Sequence, residues 1–385
     1  MNDSTHYRRI ETERFGPFVF QTGTDMQALT GLPERVEDAF EFFQSSPLAG
    51  VASLFEKEVL VSSIHGTDTI EGGTLSEQET AAVLDADPDK LHAEEARRVA
   101  NMKRAYDLAQ QAAANPEWRL SLQFIRDMHA AVTEGLTSVD ARNTPGAWRE
   151  NGDGIVTRAG TDATGGAYKP PQHGRDIALL MRELVEWHNA MQQAGVPALI
   201  RAPLVHLYFE WIHPFWDGNG RVGRALEATL LLAAGYRYAP LALAKYYLEH
   251  IQRYFTLFNT CRQRADKGEA APHAEFIRFH LEGLLGTVKH LHRRVNALIH
   301  VLLFKARIQQ LYDDKTLNAR QYALMSALPV SGLSPDALRR EPWYLALYLG
   351  KSTQTQRRDL LKLQEMQLIT LTPDGHLFPG FVAEN

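Results

Sequence analysis

The twelve consecutive residues His213–Arg224 combine residue types that could together hold a polyphosphate and move a proton. Gly218 and Gly220 allow the backbone to turn sharply and to bring its N–H groups close to a ligand. Apolar spacing on either side predicts one helix over residues 198–212 and another from about residue 220. The second helix would point its unpaired N-terminal N–H donors into the same loop. We therefore interpret this segment as a phosphate site.

Polar side chains of the same segment supply the remaining chemistry. Asp217 is a hard oxygen ligand of the kind that Mg²⁺ takes together with phosphates. Arg221 and Arg224 lie three residues apart, so they share a helix face and could bind more than one phosphate. Asn219 could donate from its amide, and His213 could act as a base near neutral pH. Each residue alone has a structural explanation, but their density within twelve residues favours a phosphate site.

The segment resembles the signature of the Fic family, His-x-Phe-x-[Asp/Glu]-Gly-Asn-Gly-Arg-x-x-Arg, at every specified position. The preceding helix is also similar, at His206, Phe209, Glu210 and Ile212. The resemblance extends from about residue 50 to residue 285. It implies a mainly α fold, with a Fic helical core and a short β-hairpin flap.

The activity implied by the resemblance is transfer of AMP from ATP to a hydroxyl side chain of a target protein. His213 would deprotonate the hydroxyl, Asp217 would hold Mg²⁺, and Arg224 would hold the γ-phosphate. The cradle for the α- and β-phosphates would consist of Gly218, Asn219, Gly220 and Arg221. Phe215 would anchor the loop in the core. Relatives that transfer phosphate tend to carry lysine where this chain has Gly220, so we favour AMP transfer.

A second motif lies upstream, in Thr67-Asp68-Thr69-Ile70-Glu71-Gly72. Taken alone, this motif is typical of the solvent-exposed start of a helix. Beside the first motif it resembles the family's inhibitory sequence, [Ser/Thr]-x-x-x-Glu-[Gly/Asn]. That resemblance implies that Glu71 pairs with Arg224 and keeps it from the γ-phosphate, while Thr67 fixes the helix by hydrogen bonding. In some relatives the same glutamate helps to remove AMP, so reversal of the modification stays open.

The glycine-rich segment Gly146–Pro171 interrupts every helical pattern. Ile155–Thr157 is a short β-prone run, and turn residues follow it, so the segment predicts a hairpin. By resemblance this hairpin is the flap that binds the target protein along an exposed strand edge. The alternative is a surface loop without that role. The sequence does not say which hydroxyl residue is modified.

The pattern along the chain, together with what the resemblance implies, predicts four regions. They are an N-terminal helical region with the inhibitory helix (1–112), the Fic core (113–285), a linker helix (286–316) and a winged-helix domain (317–385). Residues 1–30 are expected to be irregular or partly stranded. A helix through residues 55–61 is expected to end at residues 62–66, and further helices are expected over residues 243–266 and 273–312.

The winged-helix prediction rests on three helical patterns followed by two short strands, Leu368–Leu371 and His376–Phe378. A Pro-Asp-Gly turn joins the strands. Binding to DNA phosphates would use four basic residues, Lys351, Arg357, Arg358 and Lys362. Contact with another protein is an equal alternative.

The composition of the chain argues against several other classes of function. The chain has 385 residues, 44% of them hydrophobic, and a net charge of −5, which argues against a dedicated nucleic-acid coat protein. Cys261 is the only cysteine, so an internal disulfide and a cysteine zinc cluster are excluded. The polar start and the lack of a long apolar run predict a cytoplasmic protein.

One alternative function stays open, a nucleotide-sensing winged-helix regulator with a non-catalytic core. The intact His213 and Asp217 argue against it, because sensing requires neither a base nor metal chemistry. The oligomeric state is open, a homodimer being one option.

Overall fold

The structure is a computed structural model that describes residues 6–25, 27–45, 55–86, 93–137, 139–161 and 166–381. It is mainly α, with two small antiparallel hairpins among the described residues. The chain divides into two compact units, residues 1–291 and residues 292–385. The predicted fold class is confirmed.

The first unit contains ten helices in its described part and the start of an eleventh. They are α1 (Leu32–Ser45), α2 (Glu56–Ile70), α3 (Glu77–Asp85), α4 (Glu94–Ala114), α5 (Leu122–Thr133), α6 (Gly174–Gln193), α7 (Ala198–Ile212), α8 (Asn219–Ala233), α9 (Ala239–Glu249), α10 (Ile251–Asp266) and α11 (Ala274–Asp313). Helix α7 is apolar almost all round and buried along nearly its whole length, as expected for a central helix. Helices α6 and α8 pack against α7, and α4 and α5 pack against α8. The loop between α7 and α8 therefore starts and ends in the core.

An antiparallel hairpin opens the first unit. Strand β1 (Tyr7–Glu11) pairs with β2 (Pro17–Gln21), and Tyr7 lies opposite Gln21. Alternate side chains of β2 point inward, and Phe20 packs against Trp187 and Tyr208 at ring-centroid distances of 5.5 and 5.1 Å. The partly stranded start is confirmed, so the N-terminal region is not entirely helical.

Helix α2 continues past the expected stop at residues 62–66 and ends at Ile70. The small residues in that stretch do not end the helix, because they allow helix α9 to pack closely against it. A Cβ atom on Gly66 would lie 2.9 Å from the carbonyl carbon of Ala244, in α9. The glycine permits this close helix packing, and the burial outweighs its poor helix propensity.

Two further helix predictions are corrected. The helix expected over residues 243–266 is two helices, α9 and α10, separated at His250, whose φ of −120° and ψ of 34° are not helical. The helix expected over residues 273–312 is confirmed as α11, which runs without interruption from Ala274 to Asp313. The linker helix assigned to residues 286–316 is therefore not a separate element, because residues 286–313 belong to α11.

The glycine-rich segment forms less β structure than predicted. Ile155–Thr157 is not a strand, and pairing in the described part is a single bridge between Ala159 and Tyr168. Side-chain bonds replace the missing ladder, since the backbone N–H of Thr157 donates to Oε1 of Gln172 at 2.7 Å, and Nε2 of Gln172 donates to the carbonyl of Thr157 at 3.1 Å. Gly165, which contributed to the hairpin prediction, lies outside the described residues.

The second unit has four complete helices and the second hairpin. These are α12 (Ala319–Ala327), α13 (Pro335–Arg340), α14 (Pro342–Leu347), α15 (Thr353–Glu365), β3 (Ile369–Leu371) and β4 (Leu377–Pro379). The predicted two strands are confirmed. Three helices were predicted and four are present, because Pro342 starts a new helix directly after α13. A buried core unites these elements, with Leu324, Leu363 and Leu377 at its centre.

Two further observations concern the described part of the chain. It contains no helix with the length and hydropathy that a bilayer crossing requires. Cys261 is completely buried, and burial raises the pKa of its thiol to about 12.

Candidate active site

The site begins where helix α7 ends. His213 is the residue after the last turn of α7, and it adopts a left-handed conformation with φ 49° and ψ 60°. Its backbone N–H donates to the carbonyl of Phe209 at 2.8 Å. Residues other than glycine rarely adopt this backbone conformation, which turns the chain abruptly out of the helix. Gly218, at φ 78°, turns it again at the start of α8.

Asn219 closes the loop upon itself. Its Oδ1 accepts from the N–H of Phe215 at 3.0 Å, and its Nδ2 donates to the carbonyl of Phe215 at 2.9 Å. The residue is 3% exposed. The amide that could have donated to a phosphate is therefore used to shape the loop, and the backbone N–H groups at the start of α8 are the donors that point outward.

Phe215 is completely buried and anchors the loop, as the resemblance implied. Its ring stacks on the imidazole of His129, from α5, with centroids 3.5 Å apart. His129 accepts from the N–H of Gly146 at Nδ1 (2.9 Å), and Nε2 lies 3.1 Å from the carbonyl of Asp217. The imidazole thus carries its proton on Nε2. Burial, together with the nearby Arg221, lowers the pKa of His129 to about 4.

Asp217 and Arg221 form an ion pair across the first turn of α8. The NH2 atom of Arg221 lies 2.7 Å from Oδ1 of Asp217, and NH1 donates to the carbonyl of Val132 at 3.4 Å. The guanidinium is nearly buried, whereas 32% of the Asp217 side chain is exposed. A hard carboxylate oxygen is therefore accessible at the site, and it suits a cation that takes most of its ligands from phosphates and water.

Glu71 reaches Arg224 from a distant part of the sequence. The NH2 atom of Arg224 donates to Oε1 of Glu71 at 2.7 Å and to the carbonyl of Thr67 at 3.3 Å. The other terminal nitrogen of Arg224 donates to the hydroxyl of Tyr254 at 3.3 Å. Burial alone would raise the pKa of Glu71, but the guanidinium groups of Arg224 and Arg221 outweigh it, so the pKa is lowered and the carboxylate is charged.

Helix α2 is also held at Thr67, and its C-terminal end lies directly over the start of α8. The hydroxyl of Thr67 lies 3.4 Å from that of Tyr106, which in turn accepts from Ser63 at 2.7 Å. A Cβ atom on Gly220 would lie 2.2 Å from Oε1 of Glu71. Glycine at position 220 therefore gives the carboxylate of Glu71 room over the helix N-terminus.

Several of these residues line one cavity, although Asp217, Asn219 and Arg221 do not. Its wall includes Glu71, Ala159, Tyr168, Glu210, His213, Gly220, Arg224, Tyr254 and Arg262. The carboxylate of Glu210 lies 3.6 Å from Nδ1 of His213. His213, Arg224, the N-terminus of α8 and Glu71 thus surround the same space, and Ala159 and Tyr168 of the glycine-rich segment border it.

Arg149 joins the glycine-rich segment to the loop. Its backbone N–H donates to the carbonyl of Pro214 at 2.8 Å, and its Nε donates to the carbonyl of His213 at 2.7 Å. The same guanidinium donates to Asn151 and to the carbonyl of Pro171. Arg149 is 1% exposed, and burial lowers its pKa to about 10, so it is cationic at neutral pH.

A buried hydrogen-bond chain lies behind Arg224. The hydroxyl of Tyr254 lies 3.1 Å from Nε2 of His206, and Nδ1 of His206 lies 3.1 Å from Glu227. Glu227 also accepts from Tyr247 at 2.8 Å. Burial alone would raise the pKa of Glu227, but its imidazole partners keep it well below the usual range.

The structure brings four of the predicted site residues to one cavity, Glu71, His213, Gly220 and Arg224. The others do not line it, namely Thr67, Asp217, Gly218, Asn219 and Arg221. Sequence reasoning found all of these residues. It did not find the roles of Arg149, His129 or Glu227. These residues lie on other elements, and single arginine, histidine and glutamate residues carry no local signal. The contact between Tyr254 and Arg224 was likewise not predicted.

Comparison with known proteins agrees with this geometry. Residues 119–231 match the family model described as the Fic/DOC family. This segment is a Fic domain. Proteins named "Protein adenylyltransferase Fic" are similar to the chain, with 28% identity over 224 residues for that of Culex quinquefasciatus and 27% for that of Aedes aegypti. Each alignment covers 58% of this chain and 40% of the relative, so the chain spans well under half of those proteins.

Solved Fic structures share the fold at low identity. A Fic family protein from Desulfovibrio desulfuricans matches with a TM-score of 0.53 and 19% identity, over 92% of this chain and 97% of its own. A Fic domain containing signaling protein from Bacteroides thetaiotaomicron matches with a TM-score of 0.56 and 18% identity, over 70% of this chain and 97% of its own. These similarities establish the Fic fold alone.

Proposed function

We propose that the chain is a protein adenylyltransferase that transfers AMP from ATP to a hydroxyl of a target protein. The observation that carries the proposal is the shared cavity, in which His213, the N-terminus of α8 and Arg224 surround one space. A helix N-terminus with an arginine one turn further suits a polyphosphate. The adenylyltransferases of Culex and Aedes, similar over 58% of the chain, support the same activity.

His213 would take the proton of the incoming hydroxyl, while the helix N-terminus and Arg221 would stabilise charge on the phosphates. Mg²⁺, held by Asp217 and the phosphates, would neutralise charge that develops on the leaving pyrophosphate. Asp217 fits this metal because its carboxylate is accessible, and because Mg²⁺ commonly uses one or two protein carboxylates. A cytoplasmic location, where ATP is abundant, belongs to the same proposal.

Glu71 would act as an inhibitor in this scheme. Arg224 gives its strongest contact to the carboxylate of Glu71, so a γ-phosphate would have to displace that carboxylate. A charge-assisted hydrogen bond contributes about 1.5–3 kcal/mol. Its loss therefore corresponds to a change of about tenfold or more in productive ATP binding. The same glutamate could serve reversal of the modification by orienting water.

Labelling with radioactive ATP and Mg²⁺ tests the proposal. We expect Glu71→Gly to label itself or added bacterial lysate proteins at least about tenfold more than wild type. We expect His213→Ala in the Glu71→Gly background to abolish labelling. Digestion of the product should release AMP rather than phosphate. Equal labelling with and without His213 would disprove the catalytic assignment, and equal labelling with and without Glu71 would disprove the inhibition.

The glycine-rich segment would contact the target protein, since Ala159 and Tyr168 border the cavity and Ile155 and Val156 are exposed. We also propose that the second unit is a winged-helix domain that contacts a protein. Leu349 and Leu361 are exposed near α15, whereas Lys362, one of the four predicted phosphate contacts, donates to the carbonyl of Thr316. A DNA-binding role would be detected as salt-dependent DNA binding by the full chain.

A further inference from the structure

The C-terminal end of the inhibitory helix is held by an arginine from another helix. Arg98, in α4, directs its guanidinium at the last turn of α2. Its Nε lies 2.8 Å from Oδ1 of Asp68. Its NH2 donates to the carbonyl of Asp68 at 3.3 Å and to the carbonyl of Glu71 at 3.2 Å. Cations are favourable at this end of a helix, where carbonyl groups lack partners.

The turn held in this way is the one that carries Glu71. The carbonyl of Asp68 also accepts from the N–H groups of Glu71 (3.1 Å) and Gly73 (2.8 Å). A Cβ atom on Gly73 would lie 1.9 Å from Oδ2 of Asp68, so the chain returns tightly against that carboxylate. Arg98 and Asp68 thus fix the backbone from which the Glu71 side chain projects.

Arg98 acts from outside the cavity. It does not line the cavity and has no contact with His213 or Arg224 among the described interactions. Its helix, α4, packs against both α2 and α8. Helix α8 carries Arg224, so α4, like α9, relates the position of Glu71 to that of its partner.

Removal of Arg98 would leave an unbalanced charge. The side chains of Asp68 and Arg98 are 4% and 15% exposed, so their ion pair is poorly screened by water. Without Arg98, the carboxylate of Asp68 would lie near that of Glu71 without its cation. Like charges repel, and the last turn of α2 would loosen or move away.

We propose that Arg98 is a positioning residue for inhibition, which holds Glu71 against Arg224 by fixing the end of α2. The inference rests on the proposed function, because inhibition is meaningful only if the site transfers AMP. It predicts that AMP transfer is increased by a change that touches neither nucleotide nor target. It also predicts that this increase requires Glu71.

The test uses the full chain with Arg98→Gln, assayed for AMP transfer from labelled ATP. We expect transfer to rise severalfold and the KM for ATP to fall, because Arg224 becomes available. Arg98→Lys should give a smaller rise, since it keeps the charge but not the forked geometry. The matched control is Arg97→Gln, because Arg97 donates instead to the carbonyl of Gly135, at 2.6 Å.

A double variant separates this inference from the proposed function. In Glu71→Gly, the further change Arg98→Gln should add no transfer. If Glu71→Gly is active and Arg98→Gln is no more active than wild type, the positioning role is wrong. The role is also wrong if Arg98→Gln increases transfer equally in both backgrounds. If Glu71→Gly itself fails to increase transfer, the proposed inhibition fails instead.

A change in stability alone must not be mistaken for release of inhibition. Melting temperatures of all variants should therefore be measured, because a merely destabilised protein would not show a lower KM for ATP. Asp68→Asn provides a second variant if Arg98→Gln does not fold. It removes the ion pair but leaves Arg98 its two carbonyl partners, so we expect a smaller rise in transfer. No rise in Asp68→Asn together with no rise in Arg98→Lys would contradict the role.

Discussion

His129 supports the loop by staying neutral. Its Nδ1 accepts from Gly146, its Nε2 donates to the carbonyl of Asp217, and its ring face covers Phe215. A second proton on the ring would remove the acceptor for Gly146 and place a charge in the core. Because burial makes the charged imidazole unfavourable, the pKa of His129 is lowered to about 4.

The first prediction concerns stability against pH. Unfolded His129 gains a proton below its ordinary pKa of 6.5, whereas the folded residue does so only near pH 4, so folding loses stability as pH falls through this interval. Between pH 7.5 and pH 5 we expect a loss of about 2 kcal/mol from this residue. Urea unfolding of wild type and His129→Gln at both pH values measures it. Other buried histidines are common to both proteins, and equal losses would contradict the prediction.

The residue types of the loop were predictable because each is required by its chemistry at a fixed spacing. The use of each side chain was less predictable. Asn219 was expected to donate to a phosphate, yet its amide satisfies the backbone of Phe215, and a buried backbone group without a partner is costly. Arg98, Arg149 and His129 could not be predicted, because their roles depend on which helices pack together.

At the scale of elements, Arg149 connects the glycine-rich segment to the end of α7. One guanidinium serves the carbonyls of His213 and Pro171 and the side chain of Asn151. In the described part this segment has only one β bridge, so few backbone hydrogen bonds keep it in place. Hydrogen bonds from side chains must therefore provide most of what holds the segment in place near the cavity.

The second prediction follows from this dependence. Arg149→Met should leave the carbonyls of His213 and Pro171 without a buried donor and increase hydrogen exchange across residues 151–161. Lys169→Met is the matched control, because Lys169 is an exposed residue of the same segment and should leave exchange unchanged. Hydrogen exchange followed by mass spectrometry measures both. Unchanged exchange in Arg149→Met would mean that other contacts hold the segment.

Helix identity was predictable from apolar spacing, and helix ends were less so. The stop expected at residues 62–66 was wrong because Gly66 packs against Ala244 in α9, which local propensity does not report. The break between α9 and α10 at His250 was not predictable, because no proline or glycine lies there. The strand expected at Ile155–Thr157 is absent, because Gln172 satisfies the backbone of Thr157 in place of a partner strand.

At the scale of the whole molecule, the second unit has an independent polar centre. Asp359, 1% exposed, accepts from Arg320 at 2.6 Å, from Gln321 at 3.0 Å and from Tyr348 at 3.3 Å. These partners lie on α12 and α14 or at their ends, and Asp359 lies on α15. One carboxylate therefore connects three helices around the core of this unit.

The third prediction tests the independence of the two units. Asp359→Ala should destabilise the second unit by about 2–3 kcal/mol, because three donors lose their buried acceptor. Hydrogen exchange should increase in α12 and α15 and stay unchanged in α7 and α8. The control is Asp374→Ala, at the exposed turn between β3 and β4. An equal increase in α7 and α8 would show that the units unfold together.

The burial of Cys261 has a practical consequence. A thiol needs exposure and ionisation to react with maleimides, and this one has neither at neutral pH. The native chain is therefore already suited to site-specific labelling, with no cysteine to remove. A fluorophore at an introduced Thr74→Cys, an exposed position just beyond the turn that carries Glu71, would report movement of that turn in real time, independently of any transfer reaction.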